Sequence, residues 1–303
     1  MRKILLFCLA LVLALVGCSG QESSSGVDGS QQTLIIGIES EADILDPHRA
    51  GGWVTFRINR QIHESLVTED LSETSKSNPV PQIIPALAKT WEVSDDGLTY
   101  TFHLQEGVKF HDGTDFNAEA VDFNFRRVWD KEFEYYDQRG ASNLMNTVSK
   151  IKEIKVIDNY TIEFNMTEPF SPFIRMLAGS SSVPILSPEA LKAAGNDLYA
   201  ENPAGTGPFK FQERVRGQKI VLTRNDDYWG EKPKLESVIF QPIPDNSARV
   251  IALESGQVDV IAVPPPDSVQ RLQDSGFKVD DGNPPHVWFL SMNFENEYMK
   301  DPK

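Results

Sequence analysis

The run from Pro85 to Trp129 shows most plainly how apolar and polar positions alternate along this chain. Asp95-Asp96-Gly97 is a turn signal. After it Leu98, Tyr100, Phe102 and Leu104 alternate with Thr99, Thr101 and His103, the period of a half-buried strand. Gly107 allows a second reversal into Val108-Lys109-Phe110, and His111-Asp112-Gly113 closes that run with residues that tolerate unusual backbone angles. Asn117 reads as an N-cap. The helix it opens places Ala118, Val121, Phe125, Val128 and Trp129 on one face, and Glu119 complements its positive end.

The same patterning predicts a strand at Thr33 to Ile38, stopped by Ile44-Leu45-Asp46-Pro47-His48, and then a loop, Gly51-Gly52-Trp53. A helix from Thr55 to about Val67 fits Phe56, Ile58, Ile62 and Leu66 as its apolar positions. Strands follow at Ile154 to Ile157 and Tyr160 to Met166, split by the turn pair Asp158-Asn159. Ser171-Pro172 and Ser187-Pro188 each read as an N-cap with proline in the first helical position. Phe209 to Glu213 reads as a strand. Val238 to Ile243, Ser247 to Ser255 and Val258 to Val263 read as strand, helix and strand, with Gly256 ending the helix. This β-α-β order favours a parallel sheet with helices on its faces.

Residues 1–17 read as a targeting segment: Arg2 and Lys3, then the apolar run Ile4 to Leu15. That run is shorter than the roughly 20 residues a membrane-crossing helix needs. Leu15-Val16-Gly17-Cys18 resembles the bacterial lipoprotein processing signal, which makes Cys18 an acylation site and the first mature residue. An ordinary cleaved signal with an incidental cysteine is the alternative. Residues 18–33, rich in Ser, Gly and Gln, read as a flexible tether spanning roughly 20 Å. Two or more acyl chains suffice for stable anchoring.

Composition narrows the partners. The formal charge is −15, from 44 acidic and 29 basic residues, which argues against nucleic acid. The two cysteines are Cys8, inside the targeting segment, and Cys18, so the mature chain has no disulfide, cysteine-based metal site or cysteine nucleophile. His48, His63, His103, His111 and His286 show no paired metal-ligand spacing, and no cofactor is expected. The Gly205-Thr206-Gly207 cluster lacks the Lys-Ser/Thr ending of a phosphate loop. No Gly-x-Ser-x-Gly elbow or zinc-binding helix occurs, though carboxylate pairs need geometry to judge.

Three separated motifs carry a family resemblance. Ile62-His63-Glu64-Ser65-Leu66-Val67 is similar to an aromatic-Glu-x-Leu-Val element, with His63 in the aromatic position. Asn202-Pro203-Ala204-Gly205-Thr206-Gly207-Pro208-Phe209 and Arg224-Asn225-Asp226-Asp227-Tyr228-Trp229-Gly230 are the second and third, and Ala252 to Val260 also follows the pattern. Together with the Pro85 to Trp129 run, they resemble the family 5 extracellular solute-binding proteins, receptors of ABC importers for oligopeptides and dipeptides.

The resemblance implies an α/β fold of the periplasmic-binding-protein type II class, two-lobed, with an inserted α+β subdomain. It places the first lobe at residues 34–70 and 178–285, the inserted subdomain at 71–177, and a crossing strand at 286–303 that starts a second lobe. Asp301-Pro302 looks like the opening of a helix, so the second lobe is expected to be largely missing from this chain, leaving the cleft one wall and weak binding. The implied function is non-catalytic capture of a small peptide by a monomer, lipid-anchored on the extracytoplasmic face of the cell membrane. The monomer delivers the peptide to permease subunits driven by a separate ATPase. A nickel chelate, opine or glycoside ligand, or an exported hydrolase, are the alternatives. Trp53, Trp288 and Asn293 are the ligand-binding candidates that the resemblance puts near the cleft. Burial in a core or hinge is the simpler account of both tryptophans, and backbone bonding in a hinge accounts equally well for Asn293.

Overall fold

Alternation puts Tyr100, Phe102 and Leu104 on the buried face of one strand, and two separate sheets follow the same rule. The computed structural model describes residues 32–72, 80–179, 182–280 and Glu295. In chain order these form β1 (Thr33–Ile38), α1 (Trp53–Ile62), β2 (Val67–Glu69), β3 (Ile83–Pro85), β4 (Ala88–Val93) and β5 (Thr99–Leu104). Then come α2 (Ala118–Trp129), α3 (Gln138–Val148), β6 (Ile151–Asp158), β7 (Thr161–Met166), α4 (Phe173–Ala178) and α5 (Pro188–Ala194). The remainder is β8 (Phe209–Val215), β9 (Lys219–Arg224), β10 (Ser237–Pro242), α6 (Asn246–Glu254), β11 (Val260–Ile261) and α7 (Pro266–Asp274).

The first sheet has the order β11-β1-β10-β9-β8. β1 runs parallel to both β10 and β11, as the β-α-β pattern predicts. The sheet is nevertheless mixed, because β8 and β9 form a hairpin, turned at Gly217 (φ 70°), that adds antiparallel strands. Ile38, Leu222 and Phe240 pack with Ile58 and Ile62 of α1, whereas Ile35 and Ile261 pack with Val250 of α6 and Leu272 of α7. The second sheet, β4-β5-β7-β6, is antiparallel throughout. Helix α2 lies in its core through Val121, Phe125 and Val128, with the Phe125 and Phe164 rings 4.6 Å apart. Asn117 caps α2 by accepting from Ala120 N at 2.9 Å, and Ser187 caps α5 by accepting from Ala190 N at 3.1 Å.

Several boundaries differ from the sequence reading for tertiary reasons. Helix α1 starts at Trp53 and stops at Ile62 instead of reaching Val67. Its last-turn carbonyl on Ile62 is taken by Gly207 N at 2.9 Å, and Glu64 instead pairs across to Ile185. The strand expected at Val258 to Val263 shrinks to β11, because Arg249 draws the carbonyls of Ala262 and Val263 away at 3.1 and 3.0 Å. Val263 there adopts φ 50°, a left-handed conformation costly for a β-branched residue. At α4 the N-cap is Pro172, with no side-chain cap from Ser171. Val108-Lys109-Phe110 contributes only an isolated bridge, Lys109 to Asp115. Cys18, Trp288, Asn293 and the Asp301-Pro302 pair lie outside the described residues.

Candidate functional site

All three family-like motifs meet at one carboxylate. Glu64 Oε1 accepts from the Tyr228 hydroxyl at 2.7 Å, and Oε2 accepts from Trp229 Nε1 at 2.9 Å and Thr206 Oγ1 at 2.8 Å. Burial pushes the Glu64 carboxyl above its ordinary value, against the opposing pull of these three donors. The glycines of the second motif make the approach possible. A β-carbon on Gly205 would stand 2.1 Å from the Ile62 carbonyl oxygen, and one on Gly207 2.5 Å from that of Gln61, so no side chain fits at either position. Asn225 and His111 hold the same loop through the Gly207 carbonyl, at 3.1 and 2.9 Å.

Glu64 and Tyr228 border a cavity of about 330 Å³ that runs along one side of α1. Phe56, Asn59 and His63 line it from that helix, Pro47, His48 and Ala50 from the segment after β1, and Asn143 and Leu144 from α3. Ser182 and Pro184 close another side. Asn59 and His63 are each 3% exposed, and the Asn59 side-chain amide and His63 Nδ1 have no hydrogen-bond partner among the described residues. The tautomer of His63 follows from its surroundings. Tyr199 OH donates to the Ala204 carbonyl at 2.8 Å and accepts from Ala204 N, so the ring proton of His63 must sit on Nε2 and donate to Tyr199 at 2.9 Å. His63 Nδ1 is therefore a buried acceptor, and burial holds the ring neutral by lowering its pKa to about 3.

Trp53 occupies the first position of α1 instead of a loop, 54% exposed, with its ring edge-on to Phe56 at 5.9 Å. It lies outside the cavity lining, whereas Phe56 lies within it. Sequence reasoning places Glu64, Thr206, Tyr228 and Trp229 in motifs without assigning them a meeting point, and weighs His48 as a metal ligand and His63 as a metal ligand or the aromatic position of a motif. Asn59 escaped it. The one available signal was a polar pair, Asn59 and His63, four residues apart beside the apolar positions Ile58 and Ile62. Among the described residues no group of three His, Cys, Asp or Glu is arranged to hold a metal ion.

Residues 82–303 match the family described as Bacterial extracellular solute-binding proteins, family 5 Middle. The chain belongs to this family of solute-binding proteins. It is 34% identical over 267 residues to the dipeptide-binding protein of Escherichia coli, an alignment covering 81% of this chain and 50% of that one. The nickel-binding periplasmic protein of Escherichia coli is 33% identical over 217 residues, covering 72% of this chain and 38% of the relative. Among solved structures, the ABC transporter-associated periplasmic binding protein DppA from Helicobacter pylori, in complex with the peptide STSA, superposes with a TM-score of 0.72. It is 32% identical, over 80% of this chain and 48% of that one. The periplasmic-binding-protein type II fold inferred from the motifs is thus shown. The chain spans about half the length of the first curated relative.

Proposed function

We propose that this protein is the solute receptor of an ABC importer, that it takes short peptides, and that the cavity beside α1 is part of its solute site. The observation that carries this reading is a cavity lined by Asn59 and His63, whose buried side-chain amide and Nδ1 have no hydrogen-bond partner among the described residues. A peptide unit offers one N–H and one C=O, the complement of these groups, and pairing them removes a desolvation penalty of about 1–3 kcal/mol per group. Kinship to a dipeptide-binding protein supports the same solute class. A nickel chelate is the second reading, favoured by the nickel-binding relative. Against bare metal, of the two cavity histidines only His63 has a ring nitrogen without a partner among the described residues. Equilibrium dialysis against dipeptides and against a nickel–histidine chelate separates the two, with intact dipeptide retained on the first reading. Steady cleavage of the dipeptide would instead reveal a hydrolase.

We further propose that the protein is held on the extracytoplasmic face of the membrane by acyl chains on Cys18. The supporting observations are the apolar run ending at Cys18 and the absence, among the described residues, of any helix long and apolar enough to cross a membrane. The protein is expected to partition with membranes and to carry acyl mass on its N-terminal peptide. Cys18→Ala should abolish both, and equal partitioning of the two forms would count against the anchor.

A further inference from the structure

Arg127 lies on α2 and is fully buried, as is the carboxylate it pairs with, Asp46. A guanidinium has five N–H groups and no acceptor, and here each of the five finds a partner. Nη1 donates to Asp46 Oδ1 at 3.1 Å and to His48 Nδ1 at 3.0 Å. Nη2 donates to Asp46 Oδ2 at 2.6 Å and to Asn196 Oδ1 at 3.0 Å, and Nε donates to the same Asn196 oxygen at 3.1 Å. Asp46 Oδ1 also accepts from the main-chain N–H of His48 and of Arg49, at 3.0 and 3.3 Å, which folds the segment around the ion pair. Burial alone would push the Asp46 carboxyl up, but Arg127 and these hydrogen bonds hold it below the usual carboxylate range.

The consequence falls on His48. Since Arg127 can only donate, His48 Nδ1 must accept, and the single ring proton sits on Nε2. That proton is given to the Pro184 carbonyl, 2.8 Å away. His48 and Pro184 both line the cavity, one from the segment after β1 and the other from the segment before α5. Helix α3 packs closely against the same residue: a β-carbon on Gly140 would stand 3.1 Å from His48 Cβ.

We propose that Arg127 is a positioning residue of the solute site: it fixes His48 as the Nε2–H tautomer and thereby ties the Pro47–Ala50 and Ser182–Pro184 walls of the cavity into one frame. Arg127 does not line the cavity. Both nitrogens of His48 are consumed in the frame, so hydrogen bonding to a solute on this side falls to groups such as Asn59 and His63. The idea rests on the cavity being the solute site, but its test reads the histidine and not the solute, so the two can fail separately.

Ring nitrogen-15 NMR of the purified protein identifies which histidine nitrogen carries the proton. The wild type is expected to show His48 as a single neutral Nε2–H species at pH 7. This reading needs no variant, and a His48 found as the Nδ1–H tautomer or as imidazolium overturns the proposal at once. In Arg127→Met, removing the cation while Asp46 remains should raise the proton affinity of His48 at least tenfold and release the fixed tautomer. The Ile185 amide, which donates to the Glu64 carbonyl, should then exchange with solvent at least tenfold faster, while the Phe102 amide in the second sheet is unchanged. A folded Arg127→Met protein with the wild-type tautomer, titration and Ile185 exchange would equally defeat the proposal.

Discussion

Glu64→Leu is expected to destabilise the protein by about 3 kcal/mol, because Thr206, Tyr228 and Trp229 lose their common acceptor together. Each stranded donor costs about 1–3 kcal/mol when fully buried, and the lower end applies because Tyr228 and Trp229 are only partly buried. Glu64→Gln should lose no more than about 1 kcal/mol. Its carbonyl oxygen can keep Thr206 and Trp229, and its amide can donate to Tyr228 once the hydroxyl rotates. Because burial already disfavours the charged form of Glu64, removing the charge itself carries little penalty. Denaturant unfolding of the two variants checks this. Equal losses would mean that the charge and not the hydrogen-bond geometry joins the three motifs.

Acidification should be the other large effect. Burial pushes His48 and His111 down from 6.5 to about 4, and His63 to about 3. Arg127 adds to the fall at His48, and neighbouring His111 adds to it at His63. A histidine whose folded value is depressed binds its proton more readily in the unfolded chain, so stability is lost as pH drops below 6.5. The move from 6.5 to about 4 is worth roughly 3 kcal/mol per residue. Glu64, raised by burial, opposes the trend, since the folded state takes up its proton more readily. Asp46, lowered by Arg127, adds to the loss once pH falls through the carboxylate range. The sum is a decrease on the order of 5 kcal/mol between pH 7.5 and 4.5, comparable to the whole stability of many domains. Unfolding free energies at the two pH values measure it, and a flat profile would show that these histidines are not held neutral by the fold.

Much of the fold was legible because its signals are local. Strand β1, the alternation of β5 and β7, and the caps at Asn117 and Ser187 depend on residues within a few positions of one another. What misled the sequence reading is long-range. Helix α1 ends where a loop more than a hundred residues later takes its carbonyl, and β11 is cut short by an arginine on the preceding helix. Helix α3 went unread because Gly140 and several short polar residues dilute its pattern. A β-carbon at Gly140 would crowd His48 and Val128 as well as the cap residue Asp137, and only the last of these is near it in sequence.

The candidate site divides the same way. Its motifs were visible as strings, and Thr206, Tyr228 and Trp229 were each inside one, but their convergence on Glu64 is a three-dimensional fact. Of the histidines read as scattered along the sequence, His48, His63 and His111 come near one another, and each bonds a main-chain or hydroxyl partner. Trp53, for which burial is the simpler expectation from sequence, is instead exposed, and the ring that borders the cavity is that of its neighbour Phe56.

Native mass spectrometry of the protein isolated gently from its host cells tests the central claim, capture of an intact small solute at the α1 cavity, most directly. The account predicts an adduct that survives isolation, is released as an unmodified short peptide, and is lost in Asn59→Leu, which removes the amide from the cavity wall while preserving its bulk. An adduct retained equally by Asn59→Leu, or release of cleaved fragments only, would contradict it.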